Sequence, residues 1–176
     1  VACAGGGETV HERIARQVDA IRIIDTHEHL PTEPSRLKQQ RSLFTTLHYA
    51  LSDMWADGLD RRLADSLFND PAVPLQEKWD LMAPYWENVR NTAYTRTFLR
   101  AFKDIYDIAD VNESTFAELS EKIQAANQPV FYHDVLYRRA GIDLAICDIG
   151  LPGRELDPEL FRAVLRLDDF LLQWNA

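Results

Sequence analysis

The chain has 176 residues, 46% of them hydrophobic and 27% charged, an ordinary globular composition with enough apolar material for one core and one domain. Its formal net charge of -9 repels phosphate backbones and excludes nucleic acid as an expected partner. No apolar run approaches the ~18 residues of a membrane span, and there is no low-complexity segment or internal repeat.

In chain order, residues 1–20 read as a leader and a short helix. Val1-Ala2-Cys3-Ala4 and the glycines after it resemble the end of a bacterial lipoprotein signal, in which the Cys is lipidated. A flexible Gly-rich leader is the plainer reading. The expected location is the cytoplasm, with export or lipid anchoring through Cys3 as the alternative. Cys3 and Cys147 fall in a tail and a predicted strand, so no disulfide framework is expected. Val10, Ile14 and Val18 recur at helical spacing, predicting a helix over 9–20 with one apolar stripe. Residues 21–25 are short and rich in β-branched side chains, which suits a buried strand. This first strand, taken over 21–29, carries Thr26-His27-Glu28-His29 before Pro31 forces the chain out of it.

A helical insertion is expected over 30–140. Leu43, Phe44, Leu47, Ala50, Leu51 and Met54 form one apolar stripe, and Leu59, Leu63 and Leu67 the next. Pro74 can open a helix carrying Trp79 and Met82. Pro84 can open another, continued by Trp86, Val89, Ala93 and Leu99. Asn112 can cap a helix with Phe116, Leu119 and Ile123, and Pro129 can open a last one that Gly141 closes in the left-handed conformation. These stripes, and Trp55, Trp79, Trp86 and Trp174, read as core. Over 141–176, residues 142–148 form a second buried strand, and a loop at Pro152 and Gly153 follows. Asp157-Pro158 can start a helical turn. Residues 162–167 are read as a third strand ending at Asp168, with helix as the competitor.

The chemistry lies in Asp25, His27 and His29, spaced by two. In an extended strand such residues point to one side, so two imidazoles can share one cation, while Glu28 points the other way. A neutral imidazole suits zinc, and ligands at strand C-termini are what an α/β barrel uses. The competing reading is a surface turn with two solvated histidines. His11 lies before the strand, and His48 and His133 fall in predicted helices, with His48 able to face the site.

Ile24-Asp25-Thr26-His27-Glu28-His29-Leu30 resembles the first-strand signature of the amidohydrolase superfamily, particularly its amidohydrolase-related branch. Leu47-His48-Tyr49-Ala50-Leu51-Ser52-Asp53 and the stretch from Trp79 to Arg90 are similar to a branch with a long helical insertion after that strand, a layout shared by uronate isomerases. The resemblance implies an α/β fold, the N-terminal part of a (β/α)8 TIM barrel. It implies a divalent metal, zinc first, held by His27 and His29, and a small-molecule substrate hydrolysed by metal-activated water. It also implies a further His from a middle strand and a catalytic Asp after the last strand, both beyond this chain. The chain is thus expected to be an incomplete barrel, inert alone, with a homo-oligomer open for the parent. A decarboxylase falls within the same reading, and an aldose–ketose isomerase of uronates is the alternative. Arg166-Leu167-Asp168 is similar to the isomerases' third-strand Arg-Pro-Asp, which makes Arg166 and His48 candidate substrate contacts. For Arg166 an ion pair with Asp168 or Asp169 competes. Glu28 stands where those isomerases usually carry Cys, and Leu167 where they carry Pro. A helical protein whose histidines have no chemical role is the reading from a third class.

Overall fold

The short β-branched segment after residue 20 folds as β1 (Ile23–Glu28), and the segment after Gly141 as β2 (Ile142–Cys147). The computed structural model describes residues 8–148 and 156–164. Cys3, the loop at Pro152 and Gly153, and Arg166, Leu167, Asp168, Asp169 and Trp174 lie outside the described residues. Within them the chain is mixed α/β, and no helix is long and apolar enough to cross a membrane. It divides into two compact units. One runs to Ser35 and resumes at Val130, and the other is Arg36–Pro129.

In the first unit, β1 and β2 pair in parallel, which the long helical connection between them permits. A short β3 (Phe161–Ala163) adds in parallel to β2, giving the order β1-β2-β3. The strand reading of the third segment therefore holds at Arg162 and Ala163 and begins one residue earlier than expected. The turn at Asp157 precedes it, with Phe161 N–H donating to the Asp157 carbonyl at 2.8 Å. A small core of Tyr132, Ala145, Cys147, Leu160 and Phe161 lies against the sheet. The Tyr132 ring meets Phe161 edge-on at 5.7 Å, and its hydroxyl donates to the Pro31 carbonyl at 2.9 Å. Before β2 the backbone widens into a π-helical segment, His133–Arg139. Gly141 then takes a φ of 72°, the left-handed position expected of it.

α1 (Val10–Asp19) starts as its sequence dictates. Thr9 Oγ1 accepts the Glu12 N–H at 3.2 Å, and Glu12 Oε2 accepts the Thr9 N–H at 2.7 Å. Its apolar stripe is nevertheless exposed, and so is β1, with Ile23 46% and Ile24 61% accessible. The expectation of a buried first strand is corrected here. Among the described residues β1 is an edge strand, paired only with β2. Such an edge with apolar faces templates pairing with other chains. Ile24→Lys is accordingly expected to raise the monomer fraction of the purified chain in sedimentation velocity, at a stability cost within ~0.5 kcal/mol because the side chain is already exposed. An unchanged size distribution would show that this edge does not drive association.

After α2 (Glu33–Leu37), the second unit is helical: α3 (Leu43–Thr46), α4 (Ala50–Ala56), α5 (Arg61–Asn69), α6 (Leu75–Val89), α7 (Ala93–Tyr106) and α8 (Phe116–Ala125). Its core holds Leu43, Phe44, Met54, Met82, Trp86 and Leu119 at full or near-full burial. Several sequence expectations shift here. The first stripe is buried, but over two helices joined by a turn at His48 and Tyr49. On α5 the buried face is Ala64 and Phe68, while Leu63 is 45% exposed. Asp60 caps α5 by accepting the Leu63 N–H at 2.8 Å, and Phe68 offers more apolar area than a leucine. Pro84 opens no helix and lies inside α6, where Trp79, Met82, Trp86 and Val89 on the buried face offset its missing N–H. Asn112 sits ahead of α8. Its Oδ1 accepts the Ser114 N–H at 3.0 Å, and its carbonyl accepts the Phe116 N–H at 3.0 Å.

Candidate metal centre

Parallel pairing brings the C-terminal ends of neighbouring strands side by side. Glu28 is in register with Cys147, so His29 and Asp148 are the next residues on two adjacent strands. Asp148 N–H donates to the Glu28 carbonyl at 2.6 Å, which fixes this junction. The rings of His27 and His29 lie 4.5 Å apart, nearly perpendicular at 89°. One ligand atom from each of His27, His29 and Asp148 falls within 4.8 Å of the others. Two donors on one tetrahedral zinc stand about 3.4 Å apart, given bonds of about 2.0–2.1 Å. Both histidines are exposed, so small side-chain rotations close that difference.

The donor chemistry fits a divalent metal. His29 Nδ1 lies 3.2 Å from the Asp148 carbonyl, which can only accept, so Nδ1 carries the hydrogen and Nε2 keeps the lone pair. Metal-binding histidines are oriented by this kind of backbone contact. His27 is held from behind, its N–H donating to Asp25 Oδ1 at 3.1 Å. On a tetrahedral cation, two imidazoles and one carboxylate would leave a fourth position open.

Simple strand alternation fails at two points, the first between Ile23 and Ile24. The register slips again between Asp25 and Glu28, where three steps along β1 match two along β2. Across this slip the Glu28 and Asp25 carboxyls come close enough to act on each other. The expectation that Glu28 points away from Asp25 is corrected. Burial first, then hydrogen bonding and repulsion from Asp25, push the Glu28 carboxyl up to about 7. Glu28 is not one of the three clustered donors. Cys147, buried on β2, has its thiol pushed up by burial and then by Glu28, its Sγ contacts the Leu30 carbonyl at 3.5 Å, and it is not one of the three clustered donors.

Sequence reasoning singled out His27 and His29 but not Asp148, which the register brings beside them. The signal was present, an Asp closing the second predicted strand, but pairing it with His29 required the register. His48 belongs to the helical unit, in a turn rather than a helix, its ring 4.9 Å from Tyr49. His11 lies on α1, and His133 in the π-helical segment stacks on Tyr137 at 5.0 Å. Arg166 lies outside the described residues. No protein-family model matches the sequence, and no curated protein matches it.

Proposed function

We propose that the chain is the N-terminal part of a metal-dependent hydrolase of the amidohydrolase type, whose parent closes a (β/α)8 barrel and acts on a small molecule. The observation that carries this reading is the convergence of His27, His29 and Asp148 at the C-terminal ends of two parallel strands. Catalytic groups sit at that end of α/β barrels. Zinc is the metal of choice for such a donor set, with His27, His29 and Asp148 as its ligands here. When bound, the cation lowers the pKa of water towards ~7 and so supplies hydroxide near neutral pH. The chain's own residues do the positioning. The Asp148 carbonyl sets the His29 tautomer, and Asp25 holds the His27 backbone. The three strands among the described residues do not close a barrel, so turnover is proposed for the parent and metal capture for this chain. The hydrolase reading is preferred to uronate isomerisation because the latter rests on Arg166.

The test is zinc titration of the full chain by isothermal calorimetry, with ring resonances of His27 and His29 followed by NMR. One zinc per chain and selective shifts of both rings are expected. Zinc uptake equal to that of the His27→Ala/His29→Ala double variant would remove the reading.

A further inference from the structure

The helical unit contains a second site, independent of the metal centre. A cavity of about 540 Å³ opens where α5 ends and α6 begins, with one wall from α8. That volume is within the ~300–1,000 Å³ of small-molecule sites. Its floor is apolar, from Phe68, Pro71, Val73 and Leu75 among others. Lys78 lines it while only 4% exposed. Its Nζ donates to the Phe68 carbonyl at 3.2 Å and the Asp70 carbonyl at 2.8 Å. These bonds cap the end of α5 and use two of the ammonium's three donors. Among the described residues no carboxylate forms an ion pair with Lys78. A buried charge without a counter-ion is costly.

Two further features give the cavity its sign. Arg41 lines it, half-buried, and its Nη1 bonds at 2.9 Å to a neutral group, Gln39 Oε1. Pro74 and Leu75, where the 15-residue α6 begins, also line it, so the positive end of that helix dipole lies at the same place. Lys78, Arg41 and Glu121 are the charged lining residues, a balance of one positive charge that suits a monoanion better than a dianion. We infer that this cavity binds a small monocarboxylate with an aromatic or branched apolar body, its carboxylate between Lys78 and Arg41 and its body against Phe68 and Val73. Burial pushes the Lys78 ammonium below the usual lysine range, with Asp70 acting in the opposite sense, so a bound carboxylate would also stabilise its protonated form.

Benzoate is the probe, with the neutral isostere benzamide as control, both titrated into the full chain while amide NMR shifts are followed. Saturable shifts at Leu75, Lys78 and Ser120 are expected with benzoate, and binding at least about tenfold weaker with benzamide, as suits a charge-assisted contact. Lys78→Met keeps the stem and should abolish the preference for benzoate. Because Lys78 also caps α5, Arg41→Gln provides a variant outside the helix contacts, expected to weaken benzoate several-fold. Absence of saturable shifts, equal binding of the two probes, or benzoate affinity unchanged in Arg41→Gln would each overturn the assignment.

Discussion

His27→Ala is expected to weaken zinc binding by about 100-fold or more, the upper end of what losing even a supporting partner of a metal ligand costs. The side chain is exposed, so the metal-free chain should lose no more than ~0.5 kcal/mol of stability. The two readouts separate a ligand from a scaffold residue. Asp148→Asn adds a finer distinction. If the carboxylate is the third ligand, replacing its charged oxygen should cost about 10- to 100-fold in affinity. If only the Asp148 carbonyl matters, through His29 Nδ1, the substitution should be nearly silent, because the backbone contact survives it. Zinc at about 100 times its dissociation constant should stabilise the wild-type sheet unit by about 2.7 kcal/mol. In His27→Ala that stabilisation should vanish at the same zinc concentration. A variant that binds zinc like the wild type would leave the histidine pair as two solvated side chains on a strand end.

The largest stability effect is expected in the helical unit. Trp86 is fully buried on α6, and its indole Nε1 donates to the Val111 carbonyl at 2.9 Å. Trp86→Ala should cost about 3–5 kcal/mol in urea unfolding followed by far-ultraviolet circular dichroism, because the cavity it leaves is only partly refilled. Trp86→Phe isolates the polar part. It keeps most of the apolar volume but leaves the Val111 carbonyl without its donor, which should cost about 1–3 kcal/mol. A Phe variant as unstable as the Ala variant would assign the effect to shape rather than to the hydrogen bond. A cost below ~1 kcal/mol for Ala would mean that the unit does not fold around Trp86.

The sequence carried the local rules with the shortest reach. The spacing of Val10, Ile14 and Val18 announced α1, and Gly141 the end of the segment before β2. The β-branched run before His27 and the apolar run after Gly141 announced the two parallel strands, because a strand needs only pattern and composition to be seen. His27 and His29 were legible for the same reason, since their spacing puts them together through local backbone geometry alone. Where packing chooses between faces, the sequence was ambiguous. Of the stripe Leu59, Leu63 and Leu67, packing buries Leu59 and leaves Leu63 exposed, and it adds Ala64 and Phe68 to the buried face. Pro84 looks like a helix start until the buried face on either side of it holds α6 through the proline.

What lay furthest from the sequence was register. Asp148 joins His29 only because Glu28 pairs with Cys147, a contact between residues more than a hundred positions apart, and a slip of one residue would turn it away. The bulge between Asp25 and Glu28 is of the same kind. It depends on how two strands match in length, and no single strand's sequence records that, yet it sets two carboxyls against each other beside the histidines. The strand thus determined that the two histidines lie together, and the sheet decided which partners they meet.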